Sequence, residues 1–134
     1  MLEDLTYDAK IAVIKVLTEI LHADNIIHVN EVKYRDDVAK SFSLNDTCMT
    51  EVGKLMITEA LSTIKGLSIE QKSEIAKMMG KMIIIDEDIN YKEVKLYNAY
   101  CESFGIEKEF NIEDYPEFSI SDPFVNPEDL MNGI

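Results

Sequence analysis

Apolar residues along the chain recur at helical spacing, broken at regular intervals by polar turns. From Thr6 to His22 the polar residues Asp8, Lys15, Glu19 and His22 share one stripe, while Ile11, Val13, Ile14, Val16, Leu17, Ile20 and Leu21 fill the rest of the surface. That pattern predicts a helix enclosed on more than one side. It breaks over Asp24 to Asn30 and resumes with Tyr34, Val38 and Phe42 at i, i+4 and i+8, a second helix ending near Ser43. Asn45 and Asp46 can cap a third helix, running through Met49, Val52, Leu55, Met56, Ala60 and Ile64 to a stop at Gly66. Ser68 and Gln71 have the spacing of a capping box and open a fourth helix through Ile75, Ala76, Met79, Met82 and Ile83. After a turn at Asp86 a fifth helix covers about Tyr91 to Phe104, with Gly105 as its C-terminal stop.

The same design occurs twice. Residues 6–44 align without a gap on residues 68–106 at an offset of about 62 residues, with Lys10 on Lys72, Lys15 on Lys77, Asp24 on Asp86, Ile27 on Ile89, Glu31 on Glu93 and Ser41-Phe42 on Ser103-Phe104. Each copy reads helix, acidic turn, helix. A hairpin of that size cannot bury its apolar face alone, so the two copies are expected to pack together. The fold expected is all-α, a single-domain bundle of two repeated hairpins joined by a linking helix over residues 1–106.

Beyond the repeat, residues 107–134 hold all three prolines and eight acidic residues against one lysine, so this stretch carries -7 of a net charge of -13. Phe110, Tyr115, Phe118 and Phe124 make it too aromatic for an ordinary disordered tail, and it is expected to pack on the same domain or to be partly disordered. Asn126-Pro127-Glu128-Asp129 has the form of a short last helix's start. The acidity argues against nucleic acid and anionic membranes as partners and favours cations or a basic protein partner. Cys48 and Cys101 lack metal or redox spacing, and Met1 leads into Leu2-Glu3-Asp4 rather than a signal sequence, so a cytoplasmic location is expected. No apolar run approaches the roughly 20 residues of a membrane span.

Candidate chemistry lies in the two turns. Glu31 and Glu93 share stripes with core residues and are expected to face inward, where an unpaired charge costs several kcal/mol, on the order estimated for ions leaving water. Asp24 and Asp86, at the ends of the preceding helices, are placed to converge with them. Asp24, Glu31, Asp86 and Glu93 are therefore candidate metal ligands, hard oxygen donors suited to Ca²⁺ or Mg²⁺ rather than Zn²⁺. The alternative is structural: with His28 or Asn90 at N-cap, each glutamate falls at N3 and could simply close a capping box. The second turn is not an EF-hand, because Tyr91 stands where glycine is required and Tyr97 where the bidentate glutamate is required. His22 and His28 flank the first turn, but their counterparts Ile84 and Asn90 cannot repeat a zinc site. No catalytic motif is found, and no enzyme is expected.

An apolar helix ending in Ala-Asp, a turn with an aliphatic residue, a glutamate opening the next helix and an aromatic-Gly-Ile finish resembles the TerB-like domains of bacterial tellurite-resistance proteins and of a DnaJ-like co-chaperone. The family's Asp and its Glu seven residues later match Asp24 with Glu31 and Asp86 with Glu93. Asn25 and Glu87 stand where the family usually has glycine, a substitution Glu tolerates less well than Asn in a left-handed turn. The resemblance implies an all-helical, non-enzymatic module whose acidic turns bind metal ions within stress-response assemblies. A protein-interaction scaffold or co-chaperone-like module, with the acids serving only as caps, is the alternative.

Overall fold

The computed structural model describes residues 2–121. Among them are six α-helices, α1 (Tyr7–Leu21), α2 (Val29–Ser41), α3 (Asp46–Lys54), α4 (Ile57–Lys65), α5 (Ile69–Ile84) and α6 (Tyr91–Phe104). Two three-residue strands, β1 (Asp88–Asn90) and β2 (Ser119–Ser121), pair in parallel. The molecule is mostly helical, as the periodicity predicts, and no helix among the described residues is long and apolar enough to cross a membrane. The helix start read at residues 126–129 lies outside the described residues.

Helix α1 is the central element. Ile14, Val16, Leu17 and Ile20 are fully buried, and α1 packs against all five other helices. Burying each such side chain stabilises by roughly 1.5–3 kcal/mol relative to leaving it in water. The expected caps form, Asn45 accepting from Cys48 at 3.1 Å and Ser68 with Gln71 closing a full capping box; the Thr6 hydroxyl also caps α1, accepting from the Ala9 N–H at 3.2 Å.

Two expectations are corrected. The single third helix is two, α3 and α4, separated by Leu55 and Met56 in extended conformation (ψ 134° and 143°). The bend lets Val52 from α3 and Ala60 and Ile64 from α4 all bury against a core that a straight rod would meet along one line. Nor is the region 6–106 free of strands: residues 88–90 are extended ahead of α6, and the returning tail pairs with them.

Several backbone details recur at the repeat offset. Helices α1 and α5 begin at Tyr7 and Ile69, and α2 and α6 at Val29 and Tyr91. The four left-handed residues among the described ones fall into two pairs at the same offset, Asn25 with Glu87 (φ 60° and 57°) and Ser43 with Gly105 (φ 61° and 76°). At the end of α2 the Leu44 N–H reaches Ala39 O at 3.0 Å and Ser43 reaches Lys40 O at 2.9 Å; Ile106 to Cys101 and Gly105 to Glu102, each 3.1 Å, do the same after α6. Both are Schellman closures. The repeated lysines also reach the repeated phenylalanines: the Lys10 ammonium lies 6.0 Å from the Phe42 ring centroid, and Lys72 donates to the Phe104 carbonyl at 2.9 Å.

The tail is tied to β1 and α6. The Tyr97 hydroxyl accepts from the Glu109 and Phe110 N–H groups at 3.1 Å each, and Phe110, Tyr115 and Phe118 form a stacked ladder against the core. The hydroxyls of Ser119 and Ser121 then donate to the two oxygens of Asp88, at 2.7 and 2.8 Å.

The left-handed pair at the helix ends gives a direct test. Ser43 is exposed, and its Cβ is strained by roughly 1 kcal/mol at positive φ, a penalty its counterpart Gly105 avoids. Ser43→Gly should raise stability in urea denaturation by about 0.5–1 kcal/mol, and Gly105→Ala should lower it by about 1 kcal/mol.

Candidate metal centre at the junction of the two turns

The turns after α1 and α5 bring the repeated acids into contact with one another rather than leaving two separate sites. Glu31 and Glu93, at the third positions of α2 and α6, are 3 % and 0 % exposed. Both point inward, as their stripe spacing predicts. Each carboxyl group acts on the ionisation of the other. No hydrogen-bond donor among the described residues reaches Glu31 Oε1 or either oxygen of Glu93.

Neither glutamate closes a capping box. Asn90 caps α6 alone, its side-chain oxygen accepting from the Lys92 N–H at 2.9 Å, and His28 makes no side-chain cap to α2. What the helix starts do supply is the positive end of two macrodipoles, worth about 0.3–1 kcal/mol each and up to ~2 in a buried setting. That falls short of the several kcal/mol that each buried ion costs.

The remaining acids divide their work unequally. Asp24 is 7 % exposed, and both its oxygens are occupied: Oδ1 accepts from the Ile26 N–H at 3.0 Å, while Oδ2 meets His28 Nε2 at 2.8 Å and Asn90 Nδ2 at 3.1 Å. Those last two donors are each other's repeat counterparts. Asp86 Oδ2 is buried without a hydrogen-bond partner, 3.7 Å from the other imidazole nitrogen, His28 Nδ1. One donor atom from each of His28, Glu31 and Asp86 falls within 4.8 Å of the other two. Glu31 thus gathers with Asp86 and with Glu93 across the repeat, while Asp24 stands against His28 and Asn90. Of the two histidines flanking the first turn, His22 is exposed at the end of α1 and stands outside this cluster, whereas His28 belongs to it.

Burial is the main cause that raises the carboxyl pKa values, Glu31 to about 7 and Glu93 to about 10. The pair titrates as a unit. His28 is raised as well, chiefly by its hydrogen bond to Asp24, with the Glu31, Asp24 and Asp86 charges adding to it. An arriving cation would take the place of these protons.

Other reactive side chains are quiet. Burial raises the thiol pKa of Cys101, which disfavours the nucleophilic thiolate. In a shallow cleft beside α3 and α4 the Tyr7 hydroxyl donates to Glu51, which raises its pKa and opposes its use as a base. The chain matches no family model, and no curated protein or solved structure is similar to it.

These protonations fix the sign of a pH dependence. A carboxyl whose folded pKa lies above its unfolded value of roughly 4.3 holds its proton more tightly when folded, so its contribution is present at low pH and is lost as pH rises through the folded pKa. The raised His28 acts in the same direction. Without divalent ions the protein should therefore lose stability from about pH 5 towards pH 8. A proton kept by the glutamate pair contributes at most about 1.4 kcal/mol per pH unit. Glu93→Gln, whose amide can donate to Glu31, should flatten the slope and leave the variant the more stable protein at pH 8; parallel slopes for both proteins in buffered melts would contradict this reading.

Proposed function

We propose that the chain is a non-enzymatic, TerB-like helical module that binds one divalent cation at the junction of its two acidic turns. The observation that carries the reading is the Glu93 carboxylate, fully buried, without a donor at either oxygen, and next to a second buried carboxylate. Helix dipoles are too weak to hold that charge, and the junction already gathers further donor atoms from Glu31, Asp86 and His28. The two-hairpin architecture is part of the proposal. Its support is the recurrence of helix starts, left-handed residues and Schellman closures at the repeat offset, which makes the junction the place where two equivalent turns meet.

This reading favours a single shared ion over one ion in each turn. Asp24 is saturated by three donors, which leaves the first turn without a free pair of oxygens of its own. A place in a stress-response assembly, with an unidentified protein partner, rests on the TerB-like turn motif alone. As a scaffold whose acids are merely caps the chain is less well supported, because neither glutamate makes a capping bond.

A bound ion stabilises the fold by mass action, about 2.7 kcal/mol at a hundredfold excess over its dissociation constant. Thermal melts at fixed ionic strength and pH 7.5 should show a rise in melting temperature with a divalent chloride that matched sodium chloride does not give. The monovalent control is needed because any salt screens the self-repulsion of a chain at -13. Glu93→Gln should remove most of the divalent-specific rise. Equal melting temperatures in every salt would defeat the proposal.

A further inference from the structure

The imidazole of His28 is mounted as a metal ligand is. One nitrogen, Nε2, is engaged at 2.8 Å by the buried Asp24 carboxylate, and the other, Nδ1, lies 3.7 Å from the unpartnered Asp86 Oδ2, in a cluster that Glu31 joins. A carboxylate that accepts the N–H of one imidazole nitrogen leaves the lone pair on the other and holds the ring in place, the usual arrangement behind a ligating histidine. Asp24 is itself fixed by the Ile26 N–H and by Asn90, so the ring's support does not depend on solvent. Ligands at 2.0–2.2 Å from a tetrahedral ion stand roughly 3.4 Å apart. His28 Nδ1 and Asp86 Oδ2 are already at 3.7 Å, and the donor atoms offered by His28, Glu31 and Asp86, within 4.8 Å of one another, need to close by at most about 1.4 Å.

A cluster of acids alone would not identify a ligand. Here a second observation points to one: the Glu93 carboxylate, 0 % exposed and without a donor, faces Glu31 and lies in the field of Asp24 and Asp86. Calcium and magnesium take all-oxygen shells of six to eight and six ligands. One imidazole nitrogen with two or three carboxylate oxygens in a narrow, largely buried space suits a smaller borderline ion.

We propose that the junction is a zinc-class site, formed by His28 Nδ1, Glu31 and Asp86 with Glu93 beside them, in which Asp24 acts as a positioning residue for His28. This deepens the cation reading above and rests on it. Only the first turn carries the histidine, so the repeat yields one such site: Asn90, the counterpart of His28, instead steadies Asp24.

The test uses the full chain with Zn²⁺, Co²⁺, Ca²⁺ and Mg²⁺ as chlorides, measured by calorimetric titration and by Co²⁺ visible absorption. Zn²⁺ is expected to bind once per chain and at least a hundredfold more tightly than Ca²⁺ or Mg²⁺, and Co²⁺ to give the intense d–d bands of a four- or five-coordinate site. His28→Asn places in the first turn the residue the second turn already has, and its circular dichroism at the titration temperature checks that the variant is folded. It should lose the Co²⁺ bands and most of the Zn²⁺ affinity, while any weak Mg²⁺ binding is unchanged. Asp24→Asn should lower Zn²⁺ affinity by about 10–100-fold. Weaker binding with the Co²⁺ band shifted supports positioning, whereas an unaltered band and affinity would overturn that role. Ca²⁺ or Mg²⁺ binding as tightly as Zn²⁺, with His28→Asn without effect, would overturn the zinc-class assignment and leave the cation reading intact. No divalent binding of any kind would overturn both.

Discussion

The energetic constraint on this molecule is the burial of Glu31 and Glu93 against one another. Each occupies a core stripe of its helix, so neither can turn to water without pulling apolar neighbours with it. Two ionised carboxylates in such a place cost several kcal/mol each, more than the ends of α2 and α6 return. A positive species must therefore accompany them, either a proton on Glu93 or a cation held by the junction. The rest of the architecture bears on which one it is: α1 and α5 end where Asp24 and Asp86 join the pair, and the extended residues before α2 and α6 carry His28 and Asn90 to the same place.

Around this point the two halves diverge. The second turn is covered by the tail, where Ile89 is fully buried and Asp88 holds both serines of β2. The first turn has no such cover among the described residues, and Ile26, Ile27 and Val29 are 58, 69 and 78 % exposed. Two turns that share a left-handed residue thus have different surroundings. Asn90 Nδ2 links the halves, donating to Asp24 on one side and to Ser121 on the other, so the tail strand and the acidic junction share one side chain.

Much of this was legible in the residues. Helix starts at Asn45 and Ser68 follow from capping chemistry that depends on a few neighbouring atoms, and the inward glutamates follow from spacing alone. The break between α3 and α4 was not legible, because Leu55 and Met56 continue the apolar spacing and the break contains neither proline nor a side-chain cap. Its cause is tertiary, the shape of the surface presented by α1. The strand at residues 88–90 was hidden for a similar reason: its partner lies some thirty residues on and engages it through two serines that no periodicity marks. At the site, the four acids could be named, but treating the turns as equivalent discounted His28, whose counterpart is not a histidine. The available signal was local: Asp24, His28 and Glu31 fall within eight residues of one another in a single turn.

The division between Asp24 and Asp86 shows how a duplicated residue can take two roles. Their backbones match, each closing a helix before a left-handed residue, so the difference comes from the side chain four positions later. In the first turn that residue is His28, and its Nε2 occupies Asp24; in the second it is Asn90, which caps α6 through its oxygen and reaches across to Asp24 with its nitrogen. Both available donors thus converge on the same aspartate, and Asp86 Oδ2 is left buried without one. An acceptor deprived in this way raises the local negative potential beside Glu31 and Glu93, which strengthens whatever positive species the junction holds. Two identical turns would have satisfied both aspartates equally; the single exchange of histidine for asparagine concentrates the unmet charge on one side.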